Sequence, residues 1–383
     1  MTDGPLSGVL VADFSRILAG PYATMLLADL GADVIKVEGP RGDDTRTWTP
    51  PARGSTSTYY LGVNRGKRSI ALDLRDDGDA RLARELARRA DVLVENFRPG
   101  GLAKYGLDHA AVAAANPGVV YASISGFGSG AGARVPGYDL MVQAMSGLMS
   151  LTGEPDGPPY RAGISVFDVM AGNHAVIGVL AALRHRDATG RGQHVEVNLM
   201  SSALTGLVNQ SSAYVAGDVV PFRMGNAHPS VFPYEPLPTA DHELIVAAAN
   251  DGQFRKLCEV LGIPEVADDP RFERNADRTA RREELRPLLV ERLVTRGADE
   301  WFALLVEAGV PSGPINTIDG GFAVAERFGL EPVVVVGEGE RAVPTTRHPI
   351  RFSETPAGYA LPPPELDEHG AELRKWLEGG SHA

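Results

Sequence analysis

The chain has one cysteine, Cys258, which leaves no internal disulfide and no multi-cysteine zinc site. No apolar run is long and unmixed enough to read as a bilayer span, because the longest carry Gly, His or Asn. The start, MTDGPLSGVLVADF, lacks a basic segment ahead of an apolar one, so no secretory signal is expected. Positive charge is scarce: 37 Lys+Arg stand against 49 Asp+Glu, net −12, with a pI near 5.3. That balance argues against a nucleic-acid partner. Together these absences lead to the expectation of a cytoplasmic protein with no membrane and no nucleic acid among its partners. The deficit is uneven. Residues 1–110 hold 15 basic and 15 acidic side chains, and the rest hold 22 and 34. An anionic ligand is therefore better placed on the first third.

What is present is organised around residues 161–198, RAGISVFDVMAGNHAVIGVLAALRHRDATGRGQHVEVN. A short apolar run delivers one carboxylate, Asp168, and the sequence then stays almost wholly apolar to Leu183. Such a segment predicts a helix buried on every side, with Gly172 and Gly178 admitting another backbone closely. Asp168 then stands near the amino end, where the helix dipole favours its charged form. On this stretch alone it reads first as an N-cap, and the same setting is what a carboxylate nucleophile needs. His174, inside the apolar stretch, reads as a packed core histidine.

Ahead of this stretch, strands and helices alternate. Strands are predicted at 9–13, 33–38, 69–73, 91–95 and 119–124, with helices at 21–30, 76–89 and 109–115. Alternation of this kind implies an α/β, Rossmann-like, doubly wound parallel sheet. Ligands on such sheets bind beyond the carboxyl ends of the strands. The loop 39–58 is long enough to be functional. Residues 1–200 with 345–383 are expected to form the large domain and 221–320 a smaller α+β domain, with 201–220 and 321–344 as linkers. In the tail, 333–336 and 349–352 read as strands and 368–377 as a helix.

Several motifs are incomplete. The first turn, FSRILAGPY, lacks the G-x-G-x-x-G of dinucleotide sites. His194-Val-Glu196 is half of a zinc deaminase signature without its P-C-x-x-C half, and no other spacing argues for a metal. No G-x-S-x-G elbow exists. Lys67 and Arg68 read as a solvated turn.

Short stretches spread over nearly the whole chain are more informative in combination. They include ADFSRILAGPYATMLLADLGADVIKVEGPRGDDTR (12–46), NRGKRSIALDLR (64–75), ADVLVENFRPGGLAKYGL (90–107) and GYDLMVQAMSGLMSLTG (137–153). The Asp168 segment, TGRGQHVEVNL (189–199), GNAHPSVFPY (225–234) and DDPRFERNADR (268–278) continue the series. This series resembles the family III CoA-transferases, such as formyl-CoA transferase and crotonobetainyl-CoA:carnitine CoA-transferase.

The resemblance implies CoA transfer from an acyl-CoA donor to a small carboxylic acid, with CoA and acyl-CoA as substrates and no permanently bound cofactor. It implies Asp168 as the nucleophile, passing through an aspartyl anhydride and an aspartyl-CoA thioester. CoA contacts carried over by motif are Arg16, Ile17, Ala19, Arg41, Leu72, Arg75, Asn96, Phe97, Lys104 and Tyr105. Tyr138 and the loop holding Gly225, Asn226 and His228 are implied as acyl pocket or lid. This chain departs at Arg16, where formyl-CoA transferase has His, at Lys104, which replaces Arg, and in GNAH, which replaces consecutive glycines. An interlocked homodimer, each chain a ring threaded by the other, is also implied. Two alternatives stand beside it. The α-methylacyl-CoA racemases place a basic His within G-H-D, where this chain has Gly137-Tyr138-Asp139, and Tyr is a poor base at neutral pH. A CoA-binding protein without turnover would not require Asp168.

Overall fold

A computed structural model describes residues 4–379, which divide into two compact units. The first comprises residues up to Leu148, Arg161–Val219 and the part from Glu331 onward; the second comprises Met149–Tyr160 and Val220–Leu330.

The first unit is built on six parallel strands. In spatial order they are Lys67–Ala71, Asp33–Glu38, Leu10–Asp13, Val92–Glu95, Val120–Ser125 and Gln193–Asn198. Numbered along the chain this is 3-2-1-4-5-6, the doubly wound order whose direction reverses between the first and fourth strands. Alternate side chains explain the two covered faces. Val11, Val34, Val92, Val94, Val120 and Ala122 point into one core, packed by the helices Ala19–Asp29 and Val166–Thr189. Ala12, Ile35, Ile70, Leu93 and Tyr121 point into the other, covered by Asp77–Arg89 and the terminal helix Gly370–Gly379.

The second unit has its own core around Leu237, Leu244, Phe254, Leu257, Leu289 and Trp301. Its sheet is antiparallel, in the order Ser312–Pro314, Glu243–Ala247, Tyr234–Pro238.

Several sequence expectations differ from the structure. The stretch 201–220 is largely helical rather than extended linker, within Leu199–Gly206 and Val208–Gly217. Residues 321–344 take in most of Ile318–Arg327 and the strand Val333–Val336, which pairs with Val343–Thr346, whereas the strand expected at 349–352 does not form. Residues 149–160 belong to the second unit, a long-range placement that local pattern does not encode.

The Val166–Thr189 helix is not buried on every side. Ala171, Ala175, Val179 and Ala182 form its core stripe, while Asn173, Ile177, Leu180 and Ala181 are exposed. By length and composition this helix does qualify to cross a membrane, because its charges cluster near its ends. It packs instead on a sheet. Lys67 is no solvated turn either: it is fully buried and bonds Asp13 Oδ2 at 3.0 Å and Asn64 Oδ1 at 2.9 Å.

Candidate active site

The reversal point of the sheet creates a crevice after Asp13 and Glu95, and side chains from both sides lock it. Asn96 Oδ1 accepts from Arg16 N at 2.8 Å while its Nδ2 donates to Arg16 O at 2.7 Å. Both hydrogen-bonding groups of the Arg16 backbone are thus engaged by one amide. Ile17 then adopts φ 69°, a left-handed conformation that costs a β-branched residue about 1–2 kcal/mol. Asp43 offsets this by accepting from Ile17 N at 3.1 Å. Asp43 is itself fixed by the buried Lys36 Nζ, also at 3.1 Å, and by Thr45. Burial alone would raise the Asp43 pKa, but the Lys36 ammonium and the Thr45 hydrogen bonds outweigh it and hold it at about 2.

Two cavities open from this turn. One, of about 330 Å³, is lined by Arg16, Ile17, Ala19, Asn96, Phe97, Tyr138 and Asp168. The second, of about 580 Å³, is lined by Arg16, Arg41, Leu72, Arg75, Phe97 and Tyr105. Arg16 and Phe97 line both, with the guanidinium 5.8 Å from the ring centroid. The cations of the second cavity lie at its rim. Arg41 is exposed, and Arg75 holds Asp73 through bonds of 2.9 and 2.8 Å. Lys104 does not line the cavity; its Nζ lies 4.7 Å from the Tyr105 ring centroid. Glu38, Asp43, Asp44 and Asp73 line the same cavity, with Asp44 paired to Arg16 and Asp73 to Arg75. The arginines and the apolar Phe14, Leu72 and Phe97 are the groups there that suit a phosphorylated ligand with an aromatic base.

Asp168 is the third residue of its helix, not its N-cap, which is Ser165. The helix dipole does not decide its ionisation. Burial first, and the Asp139 carboxylate second, push its pKa up to about 7. Two residues here were given no role by the sequence, although Asp139 lies in the stretch 137–153 that carries the resemblance. Tyr59, from the loop side, hydrogen-bonds Ser165, and burial followed by the field of Asp168 raises its pKa. Asp139 accepts from Phe167 N at 2.8 Å and Asp168 N at 3.2 Å. Its distance in sequence, 28–29 residues, conceals that contact. His174 is half-buried, with Nδ1 2.9 Å from Ser202 Oγ.

Gly225, Asn226 and His228 lie in the second unit. Gly225 N donates to Gly153 O at 3.0 Å, and the His228 ring rests 5.1 Å from Tyr234. Gly225 and Asn226 line a cavity of about 390 Å³ there. Among the described residues no cluster of three or more His, Cys, Asp or Glu suits a metal ion.

The sequence profile described as CoA-transferase family III matches residues 6–370. The succinate–glutarate CoA-transferase of Agrobacterium fabrum is 45% identical, over 98% of this chain and 96% of that protein. The acetyl-CoA:oxalate CoA-transferase of Acetobacter aceti is 41% identical, over 97% and 95%. A solved CaiB/BaiF family protein from Brucella suis has a TM-score of 0.87 and 45% identity, covering 98% of this chain and all of that one. With nearly every residue of the sheet, crevice and second unit inside that match, this chain belongs to the family III CoA-transferases.

Proposed function

We propose that the enzyme transfers CoA between two small carboxylic acids, with Asp168 as the covalent carrier. The observation that carries this reading is a single desolvated carboxylate in a cavity that shares Arg16 and Phe97 with a larger, cation-rimmed one. A CoA chain entering from the rim brings its thioester toward Asp168. An Asp168 oxygen attacks the thioester carbonyl; the C–S bond breaks and CoA leaves as thiolate. The thiolate then attacks the Asp168 acyl carbon, forming the aspartyl-CoA thioester and releasing the donor acid. The acceptor carboxylate displaces CoA from Asp168, and the thiolate attacks the acceptor carbonyl, regenerating the Asp168 carboxylate. No net proton is consumed. The amino end of the Ala19–Asp29 helix has no side-chain cap, and the Ala19 and Gly20 N–H groups are its candidate donors for the transient oxyanion, since Pro21 has none and Tyr22 N bonds Leu18 O.

Relatives named for succinate, glutarate, oxalate and mesaconate support short dicarboxylates as the substrate class. CoA contacts are assigned to Arg16, Ile17, Ala19, Arg41, Leu72, Arg75, Asn96, Phe97 and Tyr105, which line the two cavities, and by the resemblance alone to Lys104, which lines neither. Tyr138 is assigned to the acyl side, and the 225–228 loop to a lid. The working form is an interlocked homodimer in the cytoplasm, its rings closed by the stretches 201–220 and 321–344, which contain two of the four places where the chain passes between units. The exposed Ile177, Leu204, Val208, Tyr214 and Val215 support a partner chain.

The test pairs acyl-CoA donors with dicarboxylates and follows both products by mass spectrometry. A productive donor is expected to leave an adduct on the Asp168 peptide that hydroxylamine captures. Asp168→Asn, which keeps shape but not nucleophilicity, is expected to lose at least about 10³-fold of the exchange. Full exchange in that variant refutes the assignment. Solvent deuterium entering the acyl α-carbon without acyl transfer would make the enzyme a racemase.

A further inference from the structure

The helix bearing Asp168 is capped from elsewhere in the chain. No side chain at Ser165 caps it; instead Asp139 Oδ1 takes the amides of Phe167 and Asp168. Asp139 is buried, and its second oxygen accepts from Gln143 Nε2. Gln143, also buried, is anchored at both ends: Nε2 donates to Ile164 O at 3.1 Å and Oε1 accepts from Ala162 N at 2.8 Å. Two residues of the Asp139–Met145 helix thereby hold the turn 162–168 in one register. Access for that helix depends on a backbone crossing: a Cβ on Gly126 would stand 2.3 Å from Gly137 Cα.

A neutral Ser or Asn serves as a cap as well as Asp does. The distinguishing property of Asp139 is its charge, set beside a second carboxylate that has little water. The charge of Asp139, whose Oδ1 accepts from the Asp168 amide, opposes ionisation of the Asp168 side chain. Other ionisable groups around Asp168 are Arg16, Arg98 and Tyr138 in the cavity wall and Tyr59 on the loop side. Asp139 is the charged neighbour whose field registers on Asp168, adding to the effect of burial.

We propose that Asp139, steadied by Gln143, is a positioning residue that sets both the aim and the protonation of Asp168. The proposal rests on Asp168 being the nucleophile. A carboxylate kept basic in this way is a stronger nucleophile than a solvated one, and its attack switches on as pH rises through neutrality.

The experiment is the pH profile of kcat/KM for exchange in the parent dimer and in Asp139→Asn, with thermal melts of both. Asn keeps an oxygen for the two amides but loses the charge. The acid limb is expected to move about 1 pH unit lower, with relative activity gained at acid pH even if the maximum falls. An Asn amide N–H faces Gln143 Nε2, so the variant Asp139→Asn with Gln143→Glu is made in parallel. It restores a donor–acceptor pair between positions 139 and 143, gives up the donation to Ile164 O, and moves the charge from position 139 to position 143; a smaller shift in the same direction is expected. A limb at the parent's pH in the folded variants overturns the proposal, since a purely structural cap changes rate and stability without moving that limb. Failure of the nucleophile assignment is separate: it shows as exchange surviving Asp168→Asn, whatever Asp139 does.

Discussion

At Asp168, the ionisation that suits chemistry costs the fold free energy. An acid whose folded pKa is raised favours the protonated fold, so its penalty is absent below about pH 4. The penalty grows as pH rises and is complete above about pH 7. Asn imitates the protonated form at every pH. Asp168→Asn is therefore expected to be more stable than the parent above pH 7, by about 1–2 kcal/mol after allowing for screening through the open cavity. At pH 4 the two should melt alike. A helix-capping role predicts no difference between the two at either pH, because Asn caps a helix as well as Asp does. Urea titrations at pH 4 and pH 8 separate these outcomes.

At the level of elements, the site depends on how closely the Ala19–Asp29 and Val166–Thr189 helices approach. A Cβ on Gly172 would meet Ala19 O at 2.8 Å and the Tyr22 ring at 3.0 Å. Gly172 lies one turn beyond Asp168, so any helix displacement there moves the carboxylate. Gly172→Val is expected to cost about 2–3 kcal/mol by overpacking and to lower exchange together with stability. Gly321→Ala, at a helical position with nothing within 4 Å of the new Cβ, is the control. It should be neutral or stabilising by up to about 1 kcal/mol. Thermal melts of the two variants check both directions.

For the molecule as a whole, a buried ionic layer underlies the active-site turn: Asp13 with Lys67, Asp43 with Lys36, and Glu38 with Arg46. Burial opposes ionisation of Asp13 and Glu38, yet their cationic partners and hydrogen bonds lower both pKa values. Groups with depressed folded values contribute stability above the unfolded pKa and lose it as pH falls through the folded one. Asp43, at about 2, thus contributes about 2 kcal/mol that disappears between roughly pH 4 and pH 2. Acid unfolding should be steep in that window, and Asp43→Asn should shift its midpoint upward when followed by circular dichroism. An interlocked dimer adds a second expectation. Light scattering should report two chains down to the lowest measurable concentration, and a folded monomer on dilution would refute threading.

Much was legible without coordinates. The strand–helix alternation to residue 125 follows from apolar period and turn residues, because each segment buries a face determined by its own sequence. The placing of Arg16, Phe97 and Asn96 at strand ends follows from the same pattern. The resemblance carried by short stretches led to the family. Only tertiary structure decided that Asp139 caps the Asp168 helix, that Lys67 is buried against Asp13, and that 149–160 joins the second unit. It also decided that one side of an apolar helix stays uncovered within the chain. The first three are contacts between segments far apart in sequence, where burial and charge pairing override local propensity; the uncovered helix side depends on which segments fold back onto it. The protonation of Asp168 is the clearest case: its neighbours along the chain suggest an ionised carboxylate at a helix start, but desolvation and Asp139 raise its pKa.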